Sequence, residues 1–149
     1  MASFPLSRPL LLALGSSLAA QLTKFLVTLG RDGTLNFKKL VELGGLPSAH
    51  SASVAALSTG VALEQGVQSA LFGVTAFYSL MTMYDAAGIR RSAGRQAEVL
   101  NRIVDDLKIV GRVREERLLE LLGHTPFEVI AGAALGIGFA LVGSRLLNL

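Results

Sequence analysis

Four apolar runs, at residues 9–29, 47–63, 67–84 and 127–147, set the terms on which this 149-residue chain folds. A helix needs about 20 apolar residues to cross about 30 Å of hydrocarbon, and these runs approach or reach that length. With 51% of its residues apolar, 17% charged and a mean hydropathy of +0.53, the chain departs from an average soluble domain on both counts. The expected architecture is all-α: one integral membrane domain over residues 1–149, a polytopic helix bundle of about four spans. The second run is rich in Ser, Ala and Gly and carries His50, so in lipid it must be the most enclosed of the four. From Asp85 to Gly123 the pattern changes. Val99, Leu100, Ile103, Val104, Leu107 and Val110 recur at helical spacing within a charged stretch, which predicts an amphipathic helix lying at the membrane interface.

Composition removes other classes. The chain has no cysteine, which excludes disulfides, thiolate metal sites and cysteine nucleophiles. A net charge of +3 with two Tyr and no Trp gives no basis for nucleic-acid binding. Sixteen glycines beside so much apolar surface exclude a coiled coil or a disordered chain.

With four crossings, residues 30–46 and 85–125 emerge on one side. That side holds Arg31, Lys38 and Lys39 in the first segment and Arg90, Arg91, Arg95, Arg102, Lys108, Arg112, Arg114 and Arg117 in the second, whereas the other side holds Arg8 and Arg145. The positive-inside rule puts the charged loops in the cytoplasm, or in the stroma if the membrane is a plastid or thylakoid one rather than a bacterial cytoplasmic membrane. Arg8, the Leu-rich run and Ala19-Ala20 also have the form of a secretory signal peptide; the expectation is that this run stays as the first span.

Charged or titratable side chains where an apolar run begins or stops are costly unless paired or functional. Lys24, His50, Asp85, Arg90, Arg91, His124 and Glu128 are such residues, and with four spans all fall toward one membrane face. The two histidines lie in Gly44-Gly45-Leu46-Pro47-Ser48-Ala49-His50-Ser51 and in Gly123-His124-Thr125-Pro126-Phe127-Glu128-Val129. One imidazole suits covalent phosphoryl transfer as nucleophile and a second suits protonation of the leaving oxygen. Glu128, four residues after His124, can hold the nucleophile's tautomer. Ser48 and the helix start after Pro47 form an anion site, and Lys24, Arg90 and Arg91 are cationic donors for phosphate oxygens. Asp85 is expected to pair with Arg90 or Arg91.

Those two segments, together with Met83-Tyr84-Asp85-Ala86-Ala87-Gly88-Ile89-Arg90-Arg91 and Ala93-Gly94-x-Gln96-Ala97, resemble the divergent branch of the type 2 phosphatidic acid phosphatase superfamily, which is related to vanadium haloperoxidases. The resemblance runs from about Leu18 to Leu141. It implies that His124 is the nucleophile, that His50 is the acid, and that Lys24 and Arg31, which keep a Lys-x6-Arg spacing, bind phosphate together with Ser48. Three departures stand out: Asp32 replaces a proline after Arg31, Ala49 replaces a glycine, and Glu128 replaces an aspartate. A Ser-Arg pair before the last histidine is missing, since Arg117 falls one position too early. Either Arg90 and Arg91 replace that arginine or the phosphate cradle is incomplete.

Other readings of the same residues stay open. Thr125, Pro126 and Glu128 also spell a helix start with a capping box. Lys24 can snorkel to the interface, Arg31 sits in a Gly-Asp-Gly turn context, and the basic residues from Arg95 to Arg117 can be a headgroup-facing helix surface. Gly132-x-x-x-Gly136 permits close helix contact within one chain or between two. No nucleotide or metal motif is present, and phosphohistidine chemistry needs neither metal nor cofactor. The function expected is hydrolysis of a lipid or isoprenoid phosphate or diphosphate in the membrane. The alternative is a non-catalytic subunit of a membrane complex on a degenerate phosphatase scaffold, and a homo-oligomer is compatible with either.

Overall fold

Each apolar run becomes one helix. The computed structural model describes residues 6–32, 45–108 and 124–146, and in them α1 is Arg8–Asp32, α2 Ala49–Gln65, α3 Ala70–Ala87, α4 Ile89–Lys108 and α5 Pro126–Leu146. No strand occurs among the described residues. Serine caps set two of the starts: Ser48 Oγ accepts from Ser51 N at 3.3 Å, and Ser69 Oγ accepts from Phe72 N at 3.1 Å. Gly66, at φ 82°, ends α2 in a conformation that favours glycine and begins the turn to α3.

Helix α2 lies at the centre and packs against α1, α3 and α5. Gly60 meets Pro9 while Ala49 packs on Ala20, so α1 runs antiparallel to α2. Gly132 faces Ser48 and Gly136 faces Ala52, so α5 runs parallel to it. Ser79 Oγ donates to Val54 O at 2.8 Å and fastens the returning α3. The Gly132-x-x-x-Gly136 spacing is therefore used inside the chain. Gly15 against Phe139 and Gly143 against Leu12 bring α1 and α5 together in the same way.

Small residues form the inside and large ones the outside. Among the described residues, Ser16, Ser48 and Ser51 are the largest fully buried side chains, and apolar clusters centre on Ala20, Ala49 and Ala52, and on Leu12, Ala56 and Ala140. Leu10, Leu14, Leu18, Leu22 and Leu26, one every four residues, form an exposed stripe along α1. Phe77, Tyr78 and Met81 are exposed on α3, and Ile130, Ile137 and Leu141 on α5. Continuous apolar stripes of this size are aggregation-prone in water and neutral in lipid, where helices associate through small residues.

Among the described helices, two suffice by length and composition to cross a membrane, α1 from Arg8 to Gly30 and α5. Helix α2 has 17 residues and α3 has 18, about 25 and 27 Å long, at the lower limit for a crossing. Helix α4 follows Gly88 and, among the described helices, packs only on α3. It is amphipathic as expected, with Val99, Leu100 and Ile103 exposed, Ala97 and Asn101 buried, and an Arg102–Glu98 ion pair at 2.6 Å. The expected continuation to Gly123, with Arg112, Arg114 and Arg117, and the segment holding Lys38 and Lys39 lie outside the described residues.

Candidate functional site

Four helix ends converge at one end of the bundle: the C-terminal turns of α1 and α3 and the first turns of α2 and α5. Backbone hydrogen bonds hold them together. Ser48 N donates to Glu128 O at 3.1 Å, tying the start of α2 to α5, and His124 N donates to Ala86 O at 2.9 Å, tying the start of α5 to the end of α3. The third link is steric. Gly45, at φ +83°, carries the chain past α1 so closely that an added Cβ would touch the Lys24 stem at 3.5 Å. Lys24 itself is only 6% exposed, which is unusual for a residue that merely reaches for water.

The capping box predicted at α5 forms: Thr125 Oγ1 accepts from Glu128 N at 3.3 Å, and Glu128 Oε2 accepts from Thr125 N at 3.0 Å. The same carboxylate oxygen lies 3.2 Å from His124 Nδ1. One atom therefore serves both readings of Glu128. A carboxylate at Nδ1 favours the tautomer with its proton on Nδ1, which leaves the Nε2 lone pair for attack. His124 is 4% exposed, and its ring meets that of His50 edge-on, with centroids 6.1 Å apart at 62°. A phosphorus bonded to one imidazole can thus have its departing oxygen near the other.

The structure brings together Lys24, Ser48, His50, His124 and Glu128. Ser48 is buried, and its polar atoms are engaged inside the protein: N with Glu128 O, and Oγ with Ser51 N and with Ser51 Oγ at 3.1 Å. Of the amides at the start of α2, those of Ser48 and Ser51 are thereby committed. Asp85 is half-buried beside Ala86 at the end of α3. Arg31 belongs to the last turn of α1 and Arg90 and Arg91 to the first turn of α4, but their side chains lie outside the described part of the structure. Among the described residues no group of His, Cys, Asp and Glu is arranged to hold a metal. Ser51 is a site member that function-directed reading passed over, although its place directly after His50 was a signal. The Ala86 carbonyl had none, because any residue type presents one.

Two comparisons with known proteins place the chain in a family. The chain is 42% identical over 145 residues to a protein of Bacillus subtilis (strain 168) named "Uncharacterized membrane protein YuiD", covering 90% of this chain and 92% of the relative. No solved structure matches the chain. A family model described as the divergent PAP2 family matches residues 6–139, a stretch that includes all four converging helix ends, and this chain belongs to that family.

Proposed function

We propose that this protein is an integral membrane phosphatase that hydrolyses a phosphomonoester or diphosphate on a lipid or isoprenoid through a phosphohistidine intermediate. The observation that carries the reading is the alignment of Glu128, His124 and His50. In the first step His124 Nε2 attacks phosphorus, an N–P bond forms, the P–O bond to the alcohol breaks, and protonated His50 gives its proton to the departing oxygen. In the second step His50 takes a proton from water, whose oxygen displaces the histidine and releases phosphate. Lys24, with Arg31, Arg90 and Arg91, is assigned to the non-bridging oxygens.

The membrane placement rests on the inside-out packing and on the relative named as a membrane protein. All four bundle helices are assigned as crossings, with α4 at the interface and the site on the cytoplasmic or stromal side. A cysteine at position 38 or 108 should then resist an impermeant thiol reagent applied to intact cells and react after permeabilisation. The chain has no cysteine of its own to give background, and rapid labelling from outside would overturn the orientation.

One observation favours a second reading, a non-catalytic subunit. The Ser-Arg pair is missing, and the polar atoms of Ser48 and the Glu128 carboxylate have structural partners. Vanadate, which mimics the pentacoordinate phosphoryl transition state, separates the two. Purified wild-type protein in lipid nanodiscs should bind it, and His124→Ala should not. Absence of vanadate binding, with no hydrolysis of any lipid phosphate by a folded protein, would give the case to the subunit.

A further inference from the structure

Ala20 on α1 packs against Ala49 on α2 at the level where the site begins. Because the helices run antiparallel, the next residue on each turns to the same side of the pair, so Gln21 and His50 flank one groove, and since helical side chains tilt toward the N-terminus of their own helix, the Gln21 amide reaches deeper while the His50 ring reaches toward the converging helix ends. Lys24, three residues on, shares that face of α1, and Gln21 lies about 4.5 Å deeper in the bundle than Lys24. Gln21 Oε1 is buried and accepts no hydrogen bond. The only other such atom among the described residues is Ser16 Oγ, a hydroxyl that can turn to a carbonyl of its own helix. Gln21 Oε1 can only accept, so a carbonyl of its own helix cannot satisfy it, and inside a bundle surrounded by lipid an unpaired acceptor is costly.

We infer that Gln21 reads the leaving alcohol of the substrate by accepting a hydrogen bond from a hydroxyl or amide N–H close to the phosphoester oxygen. This rests on the phosphatase reading above. A phosphate held by Lys24 and attacked by His124 points its departing oxygen at His50, and the next atoms of the alcohol, running deeper toward the hydrocarbon, come level with Gln21. A monoacylglycerol phosphate or a sphingoid phosphate has a donor there, whereas a diacylglycerol phosphate has only ester oxygens. An isoprenoid phosphate has only carbon, and its binding would leave the buried acceptor unpaired.

The experiment compares two non-hydrolysable phosphonates on the full chain in lipid nanodiscs: a monoacylglycerol phosphonate with a free 2-hydroxyl, and its 2-deoxy analogue. Wild type should bind the hydroxylated compound about tenfold more tightly, the ratio expected when a polar pocket meets a ligand lacking the matching donor. Gln21→Met, which keeps shape without the amide, should bind both with the affinity wild type has for the deoxy compound, and Gln21→Leu should repeat that result. Equal binding of the two compounds by wild type, or a preference that survives in Gln21→Met, overturns the inference, as does an equal loss on both compounds. Hydrolysis of an isoprenoid phosphate without any hydroxyl preference also overturns it and leaves the phosphatase reading standing. A hydroxyl preference in binding with no hydrolysis of the matching phosphates overturns the phosphatase reading instead.

Discussion

His124→Ala is expected to abolish turnover, because the Glu128 carboxylate at its Nδ1 leaves the Nε2 lone pair of this buried imidazole to attack phosphorus. Glu128→Gln is expected to leave the protein folded and slow it by about 10²-fold to 10⁴-fold, the range for lost support of an acid-base histidine. The geometry explains why these two effects separate. Glu128 Oε2 accepts from both Thr125 N and His124 Nδ1, and a glutamine carbonyl can keep the capping bond while losing the charge that stabilises an imidazolium. Glu128→Ala should add a stability loss of about 1 kcal/mol, since the cap goes as well. His50→Ala should hurt most with poor leaving groups and least with a nitrophenyl phosphate, which needs no proton on its departing oxygen. Steady-state rates on both ester classes, with thermal unfolding of each variant, check the set. A Glu128→Gln enzyme with wild-type rates would reduce Glu128 to a cap.

The helices were legible in the sequence because apolar runs and serine caps are local signals. The centrality of α2 was legible for a less direct reason: Ser, Ala and Gly are poor lipid-facing residues and good helix-contact residues, so the most polar run had to be the most enclosed. Hydropathy alone understates α3. Thr75 Oγ1 donates to Leu71 O at 3.0 Å and Thr82 Oγ1 to Tyr78 O at 2.9 Å, so these hydroxyls are satisfied by their own helix, which a sum of side-chain scales does not register. At the site, the histidines, Glu128 and Lys24 could be picked out because their residue types are expensive at the end of an apolar run. What could not be picked out is the pairing of helix ends through Ser48 N and His124 N, since backbone groups carry no residue identity. Gln21 stayed hidden because an uncharged amide inside an apolar run raises no alarm until its depth and its missing partner are known. Capping and catalysis stood as rival readings of Glu128, and a single oxygen shared by Thr125 and His124 makes them compatible.

Gly136→Leu is expected to cause a large loss of stability. A Cβ there would run into Ala52 O and lie 2.9 Å from Ala52 Cα, and since both are backbone atoms of the central helix, no rotamer change relieves the clash. Separating α2 from α5 would also pull on the Ser48–Glu128 hydrogen bond that joins the site's two helix starts. Overpacking in a tight core costs about 1–3 kcal/mol and more when backbone must move, so the substitution should sit at or above the top of that range. Gly138, two residues away on the same helix, is the control: nothing lies within 4 Å of its added Cβ. Gly138→Leu faces outward and should be neutral, or should stabilise the helix by about 0.5–1 kcal/mol through the lost flexibility of glycine. Unfolding of both variants in matched lipid nanodiscs measures the difference directly. If the two leucines were tolerated equally, α5 would not lie against α2 as described; if Gly138→Leu alone drove the protein out of lipid, its outward face would be an interface with protein and not with hydrocarbon.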